Sequence, residues 1–368
     1  MRSRTLAAFL GGLVLAVGCT ADTPQEGGGD PLLPSPGDRG LFETAGDCTG
    51  LAKLHGPQLS FVLGSELFVA RRTADVARCV LEISSPADLE WGPLGDRVHF
   101  GDLRRYQGEG IVSLDDTTES IAWSRPTGTA IVYVSEGRLM KVDAFGNESV
   151  DISFLEDHDE VVYHPAGTHV ATTGTAEDGT YGLWLATNVG EGEQLLAIGE
   201  DARRIFSLFF SHDGRKIYYA AEHDDHFDVH SLRLAVQDKK GEIRDAKLGT
   251  LDTASTEMGD VVVSEFAPDS VAYTVGSCEE GKTTRVWDGS VTELGGELEG
   301  FSTEPVGWMP GGELLVLARI EGCEGAGTVY AWDPGQTTRL VEGASVAGVR
   351  AALPPAPAPP ASQQQAVA

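Results

Sequence analysis

Apolar residues along this chain come in short runs separated by turn residues. The stretches "RVHF", "AIVYV", "HVATT", "KIYYAA", "VAYTV" and "ELLVL" are rich in Val, Ile, Leu and Tyr and stop after a few positions, so each reads as a strand. A polar turn precedes every one of them, and the turns share a plan. Trp91 opens "WGPLGDRVHF", Trp123 opens "WSRPTGTAIVYV", Tyr163 opens "YHPAGTHVATT" and Phe210 opens "FSHDGRKIYYAAE"; Phe266 opens "FAPDSVAYTV" and Trp308 opens "WMPGGELLVL". An aromatic residue is followed by a small or variable one, often Pro, then a Gly turn and an apolar strand. The turn chemistry is clearest at Asp213-Gly214, since Asp-Gly between two apolar runs signals a hairpin in which Gly accepts positive φ without a Cβ clash. The fifth copy is the least regular, with Ser270 where the others have Gly.

Successive heads, counted from Trp91 through Trp123, Tyr163, Phe210, Phe266 and Trp308, lie 32, 40, 47, 56 and 42 residues apart. A second turn recurs later in several units, in "VDAFGN", "VWDG" and "AWDPGQ". Repeats of about 40–50 residues with three or four short strands each mark propeller blades. Such a sheet has two apolar faces and cannot bury both alone; radial packing covers each face and leaves only short edges. The longest gap holds the polar run "AVQDKKGEIRDAK", expected to form a solvated hairpin. The turn phrase resembles the TolB-type, or WD-like, β-propeller repeat over about residues 51–350. The resemblance implies an all-β propeller and carries no activity or partner with it.

Six heads do not limit the ring to six blades. Strand-like runs at 59–72 and 79–84 precede the first head, and "SVAGVRAAL" at 345–353 follows the last unit. If that C-terminal strand becomes the innermost strand of the first blade, a seventh blade is complete and the ring has no open edge. Seven blades, closed by N- and C-terminal strands sharing a blade, is the expectation; six and eight are the alternatives.

The chain opens "MRSRTLAAFLGGLVLAVGC", with two arginines before a short apolar segment. That segment is too short to span about 30 Å of hydrocarbon and reads as a secretion signal over residues 1–18. Its "AVGC" ending resembles the bacterial lipobox, which makes Cys19 the lipidated first residue of the mature protein. A Gly/Pro/Asp-rich tether is expected over 19–45, a propeller domain over 46–352 and a disordered Pro/Ala/Gln tail over 353–368. These segments place the protein in the bacterial cell envelope, lipid-anchored, on the outer membrane and facing the periplasm or the cell surface.

The formal net charge of −29 argues against nucleic acid or an anionic membrane surface as a direct partner, since both need basic patches. The sequence lacks a G-x-S-x-G elbow, an H-E-x-x-H pair, a C-x-x-C pair, a Walker loop and a dinucleotide fingerprint. No catalytic residue and no cofactor is assigned on this basis. The polar cluster "EHDDHFDVH" at 222–230 reads as a solvated hairpin between the second and third strands of its blade; in a strand His226, Asp228 and His230 would share one face, while a turn would scatter the others. A metal site there is the competing reading.

The repeat singles out a second set of carboxylates. Asp88, Glu119, Asp159, Glu160 and Glu304 each stand just before a head, at the start of an innermost strand, so a propeller gathers them around one mouth of its channel. Like charges so placed have raised pKa values unless a cation compensates, and Arg203 and Arg204 are positioned to do so. These five are the candidate binding residues, against the plainer reading of polar strand ends meeting water. Setting Cys19 aside leaves four cysteines, an even number for an exported chain. Equivalent loops of adjacent blades lie side by side, which pairs Cys278 with Cys323, while Cys48 and Cys79 flank the first blade's strands. The expected function is a protein- or ligand-binding scaffold with an unknown envelope partner. The alternative is an enzyme using a metal or carboxylates at the channel mouth.

Overall fold

The computed structural model describes residues 42–350 except 46–47, 49–57, 72–75, 84–88, 96, 101–103, 108–109, 114–117, 144–148, 197–201, 235, 238–242, 245–246, 265, 267–269 and 321. The signal segment, Cys19, the tether up to residue 41, Asp88 and the tail at 353–368 lie outside the described residues. All described residues belong to one compact unit, Pro36–Ala368, and none of them forms an α-helix.

Five four-stranded antiparallel sheets follow one another along the chain. The Trp91 sheet is built from Leu89–Trp91, Arg97–Phe100, Arg104–Gln107 and Gly110–Ser113. The Trp123 sheet takes Thr118–Trp123, Ala130–Ser135, Arg138–Asp143 and Val150–Asp151. The Tyr163 sheet takes Asp157–Tyr163, His169–Thr175, Tyr181–Thr187 and Gln194–Leu195. The Phe210 sheet has Arg204–Phe210, Lys216–Glu222, Phe227–Arg233 and Lys247–Ala254, with the small hairpin Val236–Gln237 and Ile243–Arg244 inserted before its last strand. That hairpin occupies the polar run expected to form one. The fifth sheet holds Met258–Val263, Val271–Val275, Thr283–Trp287 and Val291–Glu293.

The remaining strands form one eight-stranded sheet. Ser302–Trp308, Leu314–Arg319 and Gly327–Asp333 lead into the 15-residue strand Gln336–Arg350. The first part of this strand pairs with Gly327–Asp333 and the last part with Gln58–Leu63, changing partner at Ala344. Glu66–Ala70 and Val76–Glu82 continue the sheet, and Glu43–Ala45 adds to its edge in parallel. Residues 42–45 therefore do not belong to a tether, as the sequence reading had it. Phe42 packs on the apolar core and its N–H donates to the Leu340 carbonyl, so the ordered domain starts earlier than its composition suggests.

The turn phrase has one physical signature in every unit. The N–H following the head closes the turn onto a carbonyl at the next strand: Gly92 to Arg97, Ser124 to Ala130, His164 to His169, Ser211 to Lys216 and Met309 to Glu313, at 2.8–3.0 Å. In the fifth sheet this bond runs from Ser264 to Ser270 at 2.9 Å, so the head position there is Val263 and not Phe266. Phe266 instead lies within the lengthened turn and packs toward the Trp308 strands. With the corrected head the last three positions are 210, 263 and 308, and the spacings become 53 and 45.

Both faces of the sheets are covered. Five apolar clusters each draw from two neighbouring sheets, as when Leu183 and Leu185 meet Ile217 and Tyr219, or Tyr218 and Val229 meet Val263 and Tyr273, and another joins the two halves of the eight-stranded sheet. A seventh lies on the Trp123 sheet around Trp123, Ile131 and Tyr133. Where the first and last strands meet, the buried Ser60 hydroxyl donates to the Gly348 carbonyl at 2.9 Å and accepts from the Trp91 indole at 2.8 Å. Disulfides join Cys48 to Cys79 and Cys278 to Cys323, with Cα separations of 4.4 and 5.1 Å, the two pairs the repeat register favoured.

Two stability predictions follow from these buried polar groups. Ser60→Ala removes both bonds of the buried bridge and should lower unfolding free energy by about 1–3 kcal/mol in urea titrations. Burial alone pulls the His99 pKa down to about 4, and burial pulls His158 to about 4 against the Asp151 carboxylate. Both pKa values are depressed below the unfolded value, so this contribution is fully present above about pH 6.5 and is lost as pH falls toward 4. It amounts to on the order of 3 kcal/mol per histidine. The urea midpoint should therefore drop between pH 7 and pH 4, and His99→Leu should flatten that slope.

Candidate functional site

Innermost strands carry the expected carboxylates, and each of these strands is interrupted by a bulge. Register shifts fall between His158 and Glu160, Phe206 and Phe209, Gly259 and Val262, and Pro305 and Gly307. A bulge turns backbone groups away from the sheet ladder, and a buried N–H without an acceptor is costly. Here the preceding sheet supplies the acceptor. Ser120 Oγ accepts from the Val161 N–H at 3.1 Å, and Ser207 Oγ accepts from the Val261 N–H at 2.7 Å. Between them, Glu160 takes two amides, Ser207 N–H at 2.7 Å and Leu208 N–H at 2.6 Å. Ser120, Glu160 and Ser207 each stand three residues before a head, so the sequence repeat is also a repeat of contacts between sheets. Ser207 reaches its position with φ of +57° and Asp260 with +46°, values that a tight bulge imposes on L-residues.

The five expected carboxylates therefore meet different fates. Asp88 lies outside the described residues. Glu119 and Asp159 are exposed, and partial burial with the neighbouring Asp157 carboxylate pushes Asp159 above its ordinary range. Burial also pushes Glu160 up, while its two amide donors pull the other way. Glu304 pairs with the Arg319 guanidinium at 2.9 Å. The compensating cations are only partly those anticipated: Arg204 lies over the Phe206 ring, 4.7 Å from its centroid, while Arg203 pairs with Asp224 on the hairpin.

Asp260 and Lys282 were not singled out from the sequence. Lys282 Nζ donates to Asp260 Oδ2 at 2.8 Å, and Thr274 Oγ1 donates to the same oxygen at 2.9 Å. Burial alone would lower the Lys282 pKa, but the Asp260 bond and charge, with Glu304 and Glu257, raise it. Asp260 stands three residues before Val263, so the corrected head would have placed it in the set. Glu160, Arg204, Ser207, Asp260, Thr274 and Lys282 line a cavity of about 300 Å³ at the strand starts. A cavity of about 670 Å³ opens at the turn end of the fifth and Trp308 sheets, beside Asp288, Glu293, Trp308 and Trp332. The 222–230 hairpin departs from its expected form. His226, Asp228 and His230 converge as the strand alternation anticipated, and the turn at 223–226 brings His223 to the same carboxylate rather than scattering it.

No family model and no curated protein matches the sequence. Among solved structures, an oligogalacturonate lyase in complex with manganese is 13% identical with a TM-score of 0.51, over 70% of this chain and 80% of that one. The nidogen/laminin complex is 10% identical with a TM-score of 0.48, covering 81% of this chain and 100% of that chain. TolB from Acinetobacter baumannii is 12% identical with a TM-score of 0.47, covering 80% of this chain and 67% of that chain. Successive two-faced sheets, each headed by the same turn, agree with the likeness to the lyase. The fold is an all-β, propeller-like succession of antiparallel sheets. At these identities the likeness is one of fold, so the site has to be argued from its own residues.

Among those residues Glu160 offers the sharpest test. Glu160→Ala leaves two buried bulge amides without their charged acceptor and should cost about 2–4 kcal/mol. Glu119→Ala, at an exposed position of the neighbouring strand, should stay within about 0.5 kcal/mol of the parent. Paired denaturant titrations read both.

Proposed function

We propose that this chain is a lipid-anchored, extracytoplasmic propeller of seven blades that binds a protein or other ligand at the mouth formed by its strand starts. It acts as a scaffold in the bacterial envelope and not as an enzyme. The seven-blade reading treats the eight-stranded sheet as two blades that share Gln336–Arg350, added to five four-stranded ones. The seven apolar clusters support it. In that reading the end of Gln336–Arg350 is the innermost strand of the first blade, and the termini close the ring.

The observation that carries the binding role is the pairing of charge at the strand starts. Glu160 is held by two amides, Glu304 by Arg319 and Asp260 by Lys282. Fixed, mutually compensated charges give a patterned surface for recognition, whereas acid–base catalysis needs a group free to exchange a proton with a substrate. The exposed Glu119 and Asp159 and the net charge of −29 favour a partner with basic surface.

An extracytoplasmic location is supported by the two disulfides, which persist in oxidising compartments. The signal at 1–18, the lipobox ending at Cys19 and the spacer behind it support a lipid anchor, with the outer membrane as its site. Fractionation of cells tests the anchor: Cys19→Ser should move the protein from the membrane to the soluble fraction, and unchanged membrane association would defeat it. Co-purification from the native envelope tests the scaffold role. A partner should be retained by the parent and lost when Glu119 and Asp159 are both replaced by Lys; turnover of a small substrate by the purified chain would overturn the reading.

A further inference from the structure

Three imidazoles converge on one carboxylate oxygen at the hairpin of the Phe210 sheet. Asp228 Oδ2 lies 3.5 Å from His223 Nε2, 3.5 Å from His226 Nε2 and 3.4 Å from His230 Nε2. The His223 contact is not a hydrogen bond. Donor atoms about 2.0–2.1 Å from a tetrahedral Zn²⁺ lie about 3.3–3.4 Å apart, so the observed separations are those of ligands around a common ion. The donor atoms of His223, His226 and Asp228 all lie within 4.8 Å of one another, while His230 stands outside that group and approaches it through Asp228, so a shared ion would have to draw its ring inward.

The outer faces of the cluster are tied as metal ligands usually are. His226 Nδ1 meets Asp225 Oδ1 at 2.6 Å, and His230 Nδ1 meets Thr250 Oγ1 at 3.2 Å, which leaves Nε2 as the inward atom of each ring. The second oxygen of Asp228 accepts from Thr253 Oγ1 at 2.5 Å, fixing the carboxylate while Oδ2 faces the rings. Asp228 and His230 are nearly buried, with side-chain exposures of 12% and 6%.

Two polar atoms at the same place have no partner. His223 Nε2 is buried without a hydrogen bond. Tyr219 is fully buried, its hydroxyl also makes none, and its ring lies 5.3 Å from that of His230. Buried polar groups are normally satisfied, so orphaned atoms around three imidazoles and a carboxylate call for an occupant.

We propose that His223, His226, Asp228 and His230 bind one divalent transition-metal ion of the zinc class. Three imidazoles and one carboxylate suit Zn²⁺ and its borderline neighbours and suit Ca²⁺ or Mg²⁺ poorly. The His223 and His226 rings stack 4.4 Å apart, so binding requires one of them to tilt. His226 is the one with room to do so, at 36% side-chain exposure. Arg203, on the rim of the strand starts, pairs with Asp224 in this hairpin, so the ion would sit on the same rim as the binding mouth. The inference does not rest on that mouth having a partner.

Equilibrium dialysis of the full, untagged chain against Zn²⁺, with Co²⁺ as a spectroscopic stand-in, tests the site. The parent should take up one equivalent and show the intense visible absorption of four-coordinate Co²⁺. His226→Ala and Asp228→Asn should each weaken binding about 100-fold or more, beyond the 10–100-fold typical of outer-shell changes. His226 is exposed enough for its variant to fold, and circular dichroism checks both variants, so His226→Ala decides if Asp228→Asn unfolds. Uptake only at millimolar metal, or stoichiometric uptake unchanged in a folded His226→Ala variant, would overturn the proposal.

Discussion

A four-stranded sheet with apolar side chains on both faces has no stable resting place by itself. The sheets here are largely of that kind among the described residues, because strands such as Lys216–Glu222 and Val271–Val275 bury consecutive residues rather than alternate ones. Tyr219 and Ala221 look to one neighbour while Tyr218 and Ala220 look to the other. The demand to cover two faces passes from sheet to sheet, and a ring of sheets satisfies it without an uncovered face. Regular turns, bulged inner strands and the shared 15-residue strand are all consequences of that requirement.

Packing sheets radially creates a second problem, at the inner strands. Strands that converge there must bend, and the bulges that bend them turn backbone amides out of the ladder. Ser120, Glu160 and Ser207 answer it by reaching across to the next sheet. Side chains that look like a row of binding groups are thus partly structural. Glu160 is spent on the fold, and among the described residues the exposed carboxylates left at the rim are Glu119 and Asp159, beside the paired Asp260–Lys282 and Glu304–Arg319. Function at this mouth is confined to what the bulges leave over.

The hairpin of the Phe210 sheet shows the opposite economy. Its His and Asp side chains point at one another and are held by Asp225, Thr250 and Thr253, while His230 also packs on Tyr219. A structural hairpin would be expected to leave such groups in water. The Phe210 sheet therefore carries polar groups of two kinds, inner ones that satisfy bulge amides and hairpin ones that converge on the Asp228 carboxylate.

Local pattern alone determined a good deal of this protein. The aromatic–turn–strand phrase specified the strands, the repeat and the propeller class, because turn chemistry and strand burial are set by residues close in sequence. The same register placed the Cys278–Cys323 disulfide, since equivalent loops of neighbouring units lie side by side, and the flanking of the first blade's strands placed Cys48–Cys79. It misplaced one head, taking Phe266 for Val263, because an aromatic in a lengthened turn imitates one at a strand end and only the Ser264–Ser270 bond tells them apart. It also extended the tether over Phe42, whose partners at Leu340 and in the core lie far along the chain. Which carboxylates are consumed, which cations meet them and whether four hairpin residues converge depend on bulges and on neighbouring sheets. Those are decided by backbone path and by residues dozens of positions away, and only the tertiary structure brings them together.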